Sequence, residues 1–236
     1  MLTGTKYRLI AAALLASIAL VAPDREAEAR AGSDPRTCMN LALEYAEALA
    51  SRDTLDATLE THRANLLRLE ALAEDVEAPP RELVNEAKAH ARTREARDVD
   101  RDVRGALRLL DNARSIVAGW RGNYCPVARP DGGADLSGQP RCDAFSATFV
   151  DELRIERRTP EQTNEREQLT AERQTILKAR ITRDDRNDLL ELWRLRSEGF
   201  DTLMRLERLQ TLRGLALDLI EELRSTGCIP ADPDKS

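Results

Sequence analysis

The sequence predicts an all-α protein, built as two long antiparallel helical hairpins that form a four-helix bundle or coiled coil stapled by disulfides at one end. Three observations carry this expectation. Aromatic residues are 3% of the chain and charged residues 33%. Strands draw on aromatic and β-branched residues, so this composition argues against β-sandwiches and barrels and suits long helices. Apolar residues recur at alternating spacings of four and three, the heptad signature. Four cysteines then divide the chain into two stretches of nearly equal length.

The elements follow in order. Lys6 and Arg8 precede a run of apolar or small residues, Leu9 to Ala22. Ala27-Glu28-Ala29 and Ala29-Arg30-Ala31 offer small-x-small patterns, so residues 1–29 read as a cleaved secretory signal. As a helix the run would be about 21 Å long, short of the roughly 30 Å hydrocarbon core a membrane anchor must cross. No cysteine near the cleavage region could carry a lipid, and no later stretch is apolar enough to span a bilayer. The expected location is periplasmic or secreted.

Cleavage removes three basic residues (Lys6, Arg8, Arg25) and three acidic ones (Asp24, Glu26, Glu28), so the net charge of −6 is unchanged. The remaining charges are finely mixed: Arg81 to Arg104 holds seven basic and six acidic residues. A nucleic-acid partner would require a basic stripe, and none is present.

The first hairpin is assigned to residues 30–125. Ser33-Asp34-Pro35 starts its first helix, with Asp34 as cap and Pro35 where a missing N–H costs nothing. A seam follows through Leu41, Tyr45, Ala48, Arg52, Leu55, Leu59, His62, Leu66, Leu69, Ala73 and Val76. Pro79-Pro80 ends it. A second helix is predicted from about Arg81 to Trp120, with its seam at Val99, Val103, Ala106, Leu110, Ala113, Val117 and Trp120 and a weak stretch at Lys88–Asp98. Residues 121–141 are rich in Gly and Pro, which places a connecting loop over 126–141.

The second hairpin covers residues 142–228. Phe145, Phe149 and Leu153 open it, Thr159-Pro160 restarts it as cap and first helical residue, an apolar stripe resumes through Leu169, Ile176 and Leu177, and Ile181 to Asp185 breaks it again. The last helix runs from about Asp184 to Thr226, with Gly227 at the left-handed C′ position. The tail, 229–236, is expected to be disordered.

Cys38 lies 87 positions from Cys125, and Cys142 lies 86 from Cys228. Two hairpins of this length bring all four to one end. Four cysteines allow three pairings. Cys38–Cys125 with Cys142–Cys228 is favoured, and Cys125–Cys142 with Cys38–Cys228 is the alternative. Tyr45, Trp120, Tyr124, Phe145 and Phe149 gather at the same end, which should be a compact base. The opposite end, near Pro79 and Arg183, should be thinner and more charged.

Known chemistries are missing, and no catalytic, cofactor-binding or metal-binding residue is assigned. There is no CxxC or CxxCH, no P-loop, no GxSxG and no EF-hand around Asp131 to Asp135. The two histidines are too far apart to share a metal, with His62 facing about residue 96 and His90 facing about residue 68. Leu59 and Ala87 stand where a di-iron bundle needs glutamate. His62 is read as a polar notch setting hairpin register. Arg52, Arg173 and Arg180, near the seams, are expected to snorkel.

Thr159-Pro160-Glu161-Gln162 and Leu169-Thr170-Ala171-Glu172-Arg173 resemble the repeated Leu-Thr-x-x-Gln motifs of the small periplasmic chaperones of the Spy type. Arg173 stands at the Gln position, Gln162 lacks the preceding Leu, and the match covers about 15 residues, so it does not define a family.

The expected function is an exported, non-catalytic helical scaffold or adaptor that binds a protein partner in the cell envelope, with self-association into a homo-oligomer left open. The alternative is a holdase-type chaperone or apolar-ligand carrier, with a groove between the hairpins at Lys88–Asp98. An enzymatic site near the 121–141 loop is the third reading.

Overall fold

A computed structural model describes residues 35–75, 77–123, 125, 142–155 and 158–230. The readings made for the signal segment, for loop 126–141, for Tyr124 and Val76, and for the tail beyond Pro230 lie outside the described residues. Those residues form seven helices and no strand: α1 (Pro35–Ala50), α2 (Leu55–Glu74), α3 (Pro80–Ala91), α4 (Arg94–Gly122), α5 (Cys142–Arg154), α6 (Pro160–Lys178) and α7 (Arg183–Ser225).

Local chemistry explains the boundaries. Pro80 opens α3 at a position that needs no N–H donor. Thr159 and Gln162 form a capping box at α6, with hydroxyl and amide each closing on the other residue's backbone N–H at 3.2 and 3.0 Å. The Thr182 hydroxyl accepts from Asp185 N–H at 3.1 Å to start α7. Gly227 takes φ +75° after α7, and the Cys228 N–H returns to the Leu223 carbonyl at 2.8 Å.

Two breaks differ from the sequence reading. The first predicted helix is interrupted at Ser51–Thr54, and the second at Arg92–Thr93. At the first, the Ser51 hydroxyl donates to the Ala48 carbonyl at 3.1 Å, a local bond that competes with the helix ladder. At the second, Thr93 caps α4 by accepting from Ala96 N–H at 3.2 Å. The first break also re-phases the seam. The buried stripe of α1 is Cys38, Ala42, Tyr45, Ala46 and Leu49, so Arg52 is exposed rather than on the seam, while α2 resumes with Leu55, Leu59 and Leu66.

Hydrogen bonds and ion pairs join helices within each half of the chain. In the first, the Tyr45 hydroxyl donates to the Leu109 carbonyl at 2.7 Å, and Arg68 meets Glu86 at 3.3 Å. His90 Nε2 lies 3.0 Å from Asn65 Oδ1, three residues from the expected facing position. In the second, an Arg208 guanidinium donates to the Glu152 carbonyl and Arg196 meets Glu172 at 2.7 Å. Cys38 is bonded to Cys125 and Cys142 to Cys228, with Cα–Cα distances of 5.7 and 5.8 Å.

The main core lies at the cysteine end. It joins Cys38, Tyr45, Trp120, Phe149, Leu209 and Leu223, among others, with Cys142, Phe145 and Cys228 packed against it. Tyr45 and Phe149 place their ring centroids 6.4 Å apart. There α1, α4, α5 and α7 all pack on one another. Two much smaller clusters lie toward the other end, one around Leu83, Val84, Ala87 and Leu192 and one around Leu66, Leu169 and Phe200. At about 65 Å, α7 is the spine, packing against every other described helix.

Burial raises the Tyr45 phenol well above its ordinary value of 10.0, with a smaller opposing effect from Arg208. The raised folded-state value means the stabilisation from keeping Tyr45 neutral is complete below pH 10 and is lost as alkali ionises the unfolded chain. Tyrosinate absorbance is therefore expected to rise in two stages, the later one coincident with loss of helix. Tyr45→Phe should remove that later stage; if it persists, Tyr45 is not the protected phenol.

Candidate functional site

The least enclosed element is α6. Among the described residues its backbone lies close to α7 alone, with Leu169 reaching a small cluster that includes Leu66 of α2, whereas the helices of the base are covered on several sides. Leu169 is its one buried residue. Most of its attachment is polar. Gln162 donates to Glu207 at 2.8 Å, Arg166 pairs with Asp201, and both oxygens of Glu172 accept from Arg196 at 2.7 Å. The Trp193 indole N–H donates to the Leu169 carbonyl at 2.7 Å, and the Arg173 guanidinium lies 5.3 Å from the Trp193 ring centre. Arg173 thus lies over a ring instead of entering a buried ion pair.

One-sided packing leaves a cleft on each flank of α6. The first, about 540 Å³, opens between α2 and α6. Its floor is Leu66, Leu67, Phe200 and Leu203, and its rim carries Arg63, Glu70, Glu161, Glu165 and Glu207. Four carboxylates against one guanidinium make a formal −3. Arg63 is already engaged by Glu60 at 2.7 Å and Glu207 at 2.8 Å. Burial raises the Glu70 carboxyl above its ordinary value, and the facing Glu165 adds to the rise. Like charges from α2 and α6 therefore confront each other across the opening.

The second cleft, about 630 Å³, lies between α4 and α6. Arg114, Arg158, Arg166, Arg205 and Arg208 line it with Asp111 and Asp201, a formal +3. Arg205 pairs with Asp111 at 2.8 Å. So α6 separates an acidic flank from a basic one.

The register of α2 on α7 supports the apolar floor of the acidic cleft. A methyl group at Gly199 would lie 3.1 Å from Leu66 Cδ1, so glycine permits the close approach. There His62 Nε2 lies 2.9 Å from the Gly199 carbonyl, which can only accept, so the ring donates. His62 therefore ties α2 to α7; it does not set register against α4 as the sequence suggested. Nearby, Lys88 meets Glu191 at 3.2 Å. Hydrogen bonds from Arg194 first, then from Lys88, hold the Glu191 carboxyl down to about 2.

The four cysteines assigned from sequence come together at the base, and none of them lines either cleft. The histidines stay apart, each on its own partner. Among the described residues no cluster of His, Cys, Asp or Glu could hold a metal, and no helix is long and apolar enough to cross a membrane. The weak stretch Lys88–Asp98 became the α3–α4 break, and the grooves flank α6 instead. Sequence reasoning missed Glu161 and Glu165, whose spacing of four puts both on one face of α6, a signal that could have found the acidic rim.

An all-helical, disulfide-stapled chain is the class these observations define. No protein-family model, curated protein or solved structure gives a significant match to it.

Proposed function

We propose that the chain is an exported, non-catalytic helical scaffold or adaptor that binds a protein partner in the cell envelope. Two antiparallel hairpins would form a four-helix body closed at the disulfide base and left open around α6. The observation that carries this reading is the contrast between a base packed on all sides and a helix packed on one. The two disulfides and the pattern of residues 1–29 support export.

A photo-crosslinking residue placed at Leu67 in the native envelope tests it. One discrete adduct is expected there and none from the same residue at Leu217, which is exposed in the other half of α7. Absence of any adduct at Leu67 sinks the proposal, and an adduct of twice the chain mass would assign a homo-oligomer instead.

The apolar floor of the α2–α6 cleft favours a second reading, a holdase-type chaperone or apolar-ligand carrier. That reading requires suppression of aggregation of unrelated unfolded clients, which a dedicated adaptor would not show.

A further inference from the structure

We infer that the α2–α6 groove is a docking site for a basic amphipathic helix, whose apolar stripe would cover Leu66, Leu67, Phe200 and Leu203 while its Lys or Arg residues meet the glutamate rim. This rests on the reading of the chain as a protein-binding scaffold and names the site and the partner's chemistry.

Shape comes first. The groove is bounded by helices α2 and α6 and floored by α7. A helix laid between two others buries its stripe in this way. Leu67 is 65% exposed and lines the same groove as the buried Leu66 and Phe200, so apolar surface runs from floor to rim. Charge then selects the occupant. Glu70 faces Glu165 across the opening, and Glu161 and Glu207 extend the acidic edge. The cations closest to hand are already engaged, Arg63 by Glu60 and Glu207, and Arg196 by Glu172. An acidic helix would add to this repulsion; a basic one would relieve it.

The probes are two fluorescent synthetic peptides of about 16 residues, long enough to form helix on docking. One has a leucine stripe with lysines, the other the same stripe with glutamates. The oxidised mature chain is expected to bind the lysine peptide and reject the glutamate one. Leu67→Ser should weaken binding about tenfold, because burying a leucine side chain is worth that factor or more. Glu161→Gln with Glu165→Gln should weaken it severalfold and flatten its salt dependence. Leu217→Ser, outside the groove, should change nothing.

Equal binding of both peptides, or no loss in the Leu67 and glutamate variants, overturns the inference. So does equal binding of a lysine peptide without leucines, which would mean surface charge alone. A dimer of the chain that Leu67→Ser dissociates would assign the groove to a second copy and also overturn it. If envelope crosslinks at Leu67 persist while the peptides fail, the scaffold reading stands and only the partner's chemistry is wrong.

Discussion

Removing both disulfides is expected to abolish most of the protein's stability. Each bond closes a long loop, with separations of 87 and 86 residues. In the chain-entropy model a loop of that length is worth about 4.6 kcal/mol. The loops do not overlap in sequence, so the two contributions add to about 9 kcal/mol, comparable with the whole of a typical domain's 5–15 kcal/mol. Location strengthens the effect, because both bonds join the cluster that holds Trp120, Phe149 and Leu223. Urea unfolding with and without reductant, followed by circular dichroism, measures the difference. A reduced chain within about 2 kcal/mol of the oxidised one would show that the base stands on its packing alone. The bonds should also differ in access. Cys38 and Cys125 are buried, whereas Cys142 and Cys228 are partly exposed, so mild reductant should open Cys142–Cys228 first.

That base was readable because its signals are local and redundant. Cysteine spacing, ring placement and the stop at Gly227 all pointed to the same end, and the stop at Pro79 marked the opposite one. The Thr159 cap was readable for the same reason, since a cap is decided by three or four neighbouring residues. The breaks at Ser51–Thr54 and Arg92–Thr93 were not readable. Neither holds a proline or glycine, and each lies in a segment whose polar residues would be acceptable on a solvated helix face. The stripe in α1 was misplaced by one position for a related reason: a heptad carried through to Val76 assumes one uninterrupted rod. The clefts beside α6 were hidden altogether. Leu169, Ile176 and Leu177 read as a resumed apolar stripe, yet only Leu169 is buried and Leu177 is 41% exposed. How many neighbours a helix has is a tertiary fact, and a local pattern does not encode it.

The same truncation should have different consequences at the two ends of the molecule. Leu209 is fully buried in the main core, and Leu169 is 3% exposed beneath α6. A buried Leu→Ala change costs about 2–5 kcal/mol where neighbours cannot collapse into the space. Leu209→Ala meets that condition, enclosed by α7's neighbours in the base, so it should lower the thermal midpoint by about 10 °C. Leu169 belongs to a small cluster with Leu66 and Phe200, and the remaining links from α6 are polar and partly solvated. Leu169→Ala should therefore loosen α6 without unfolding the base. Hydrogen exchange read by peptide should show residues 160–178 losing protection, while 35–50 and 203–225 keep theirs and the midpoint moves little. Equal losses in both variants, with α6 as protected as α1, would mean that α6 belongs to the cooperative core. The groove would then be a rigid surface feature, and an arm free to adjust to a docked helix would have to be given up. The local outcome would instead make α6 the one wall of the acidic groove that can shift as a partner enters.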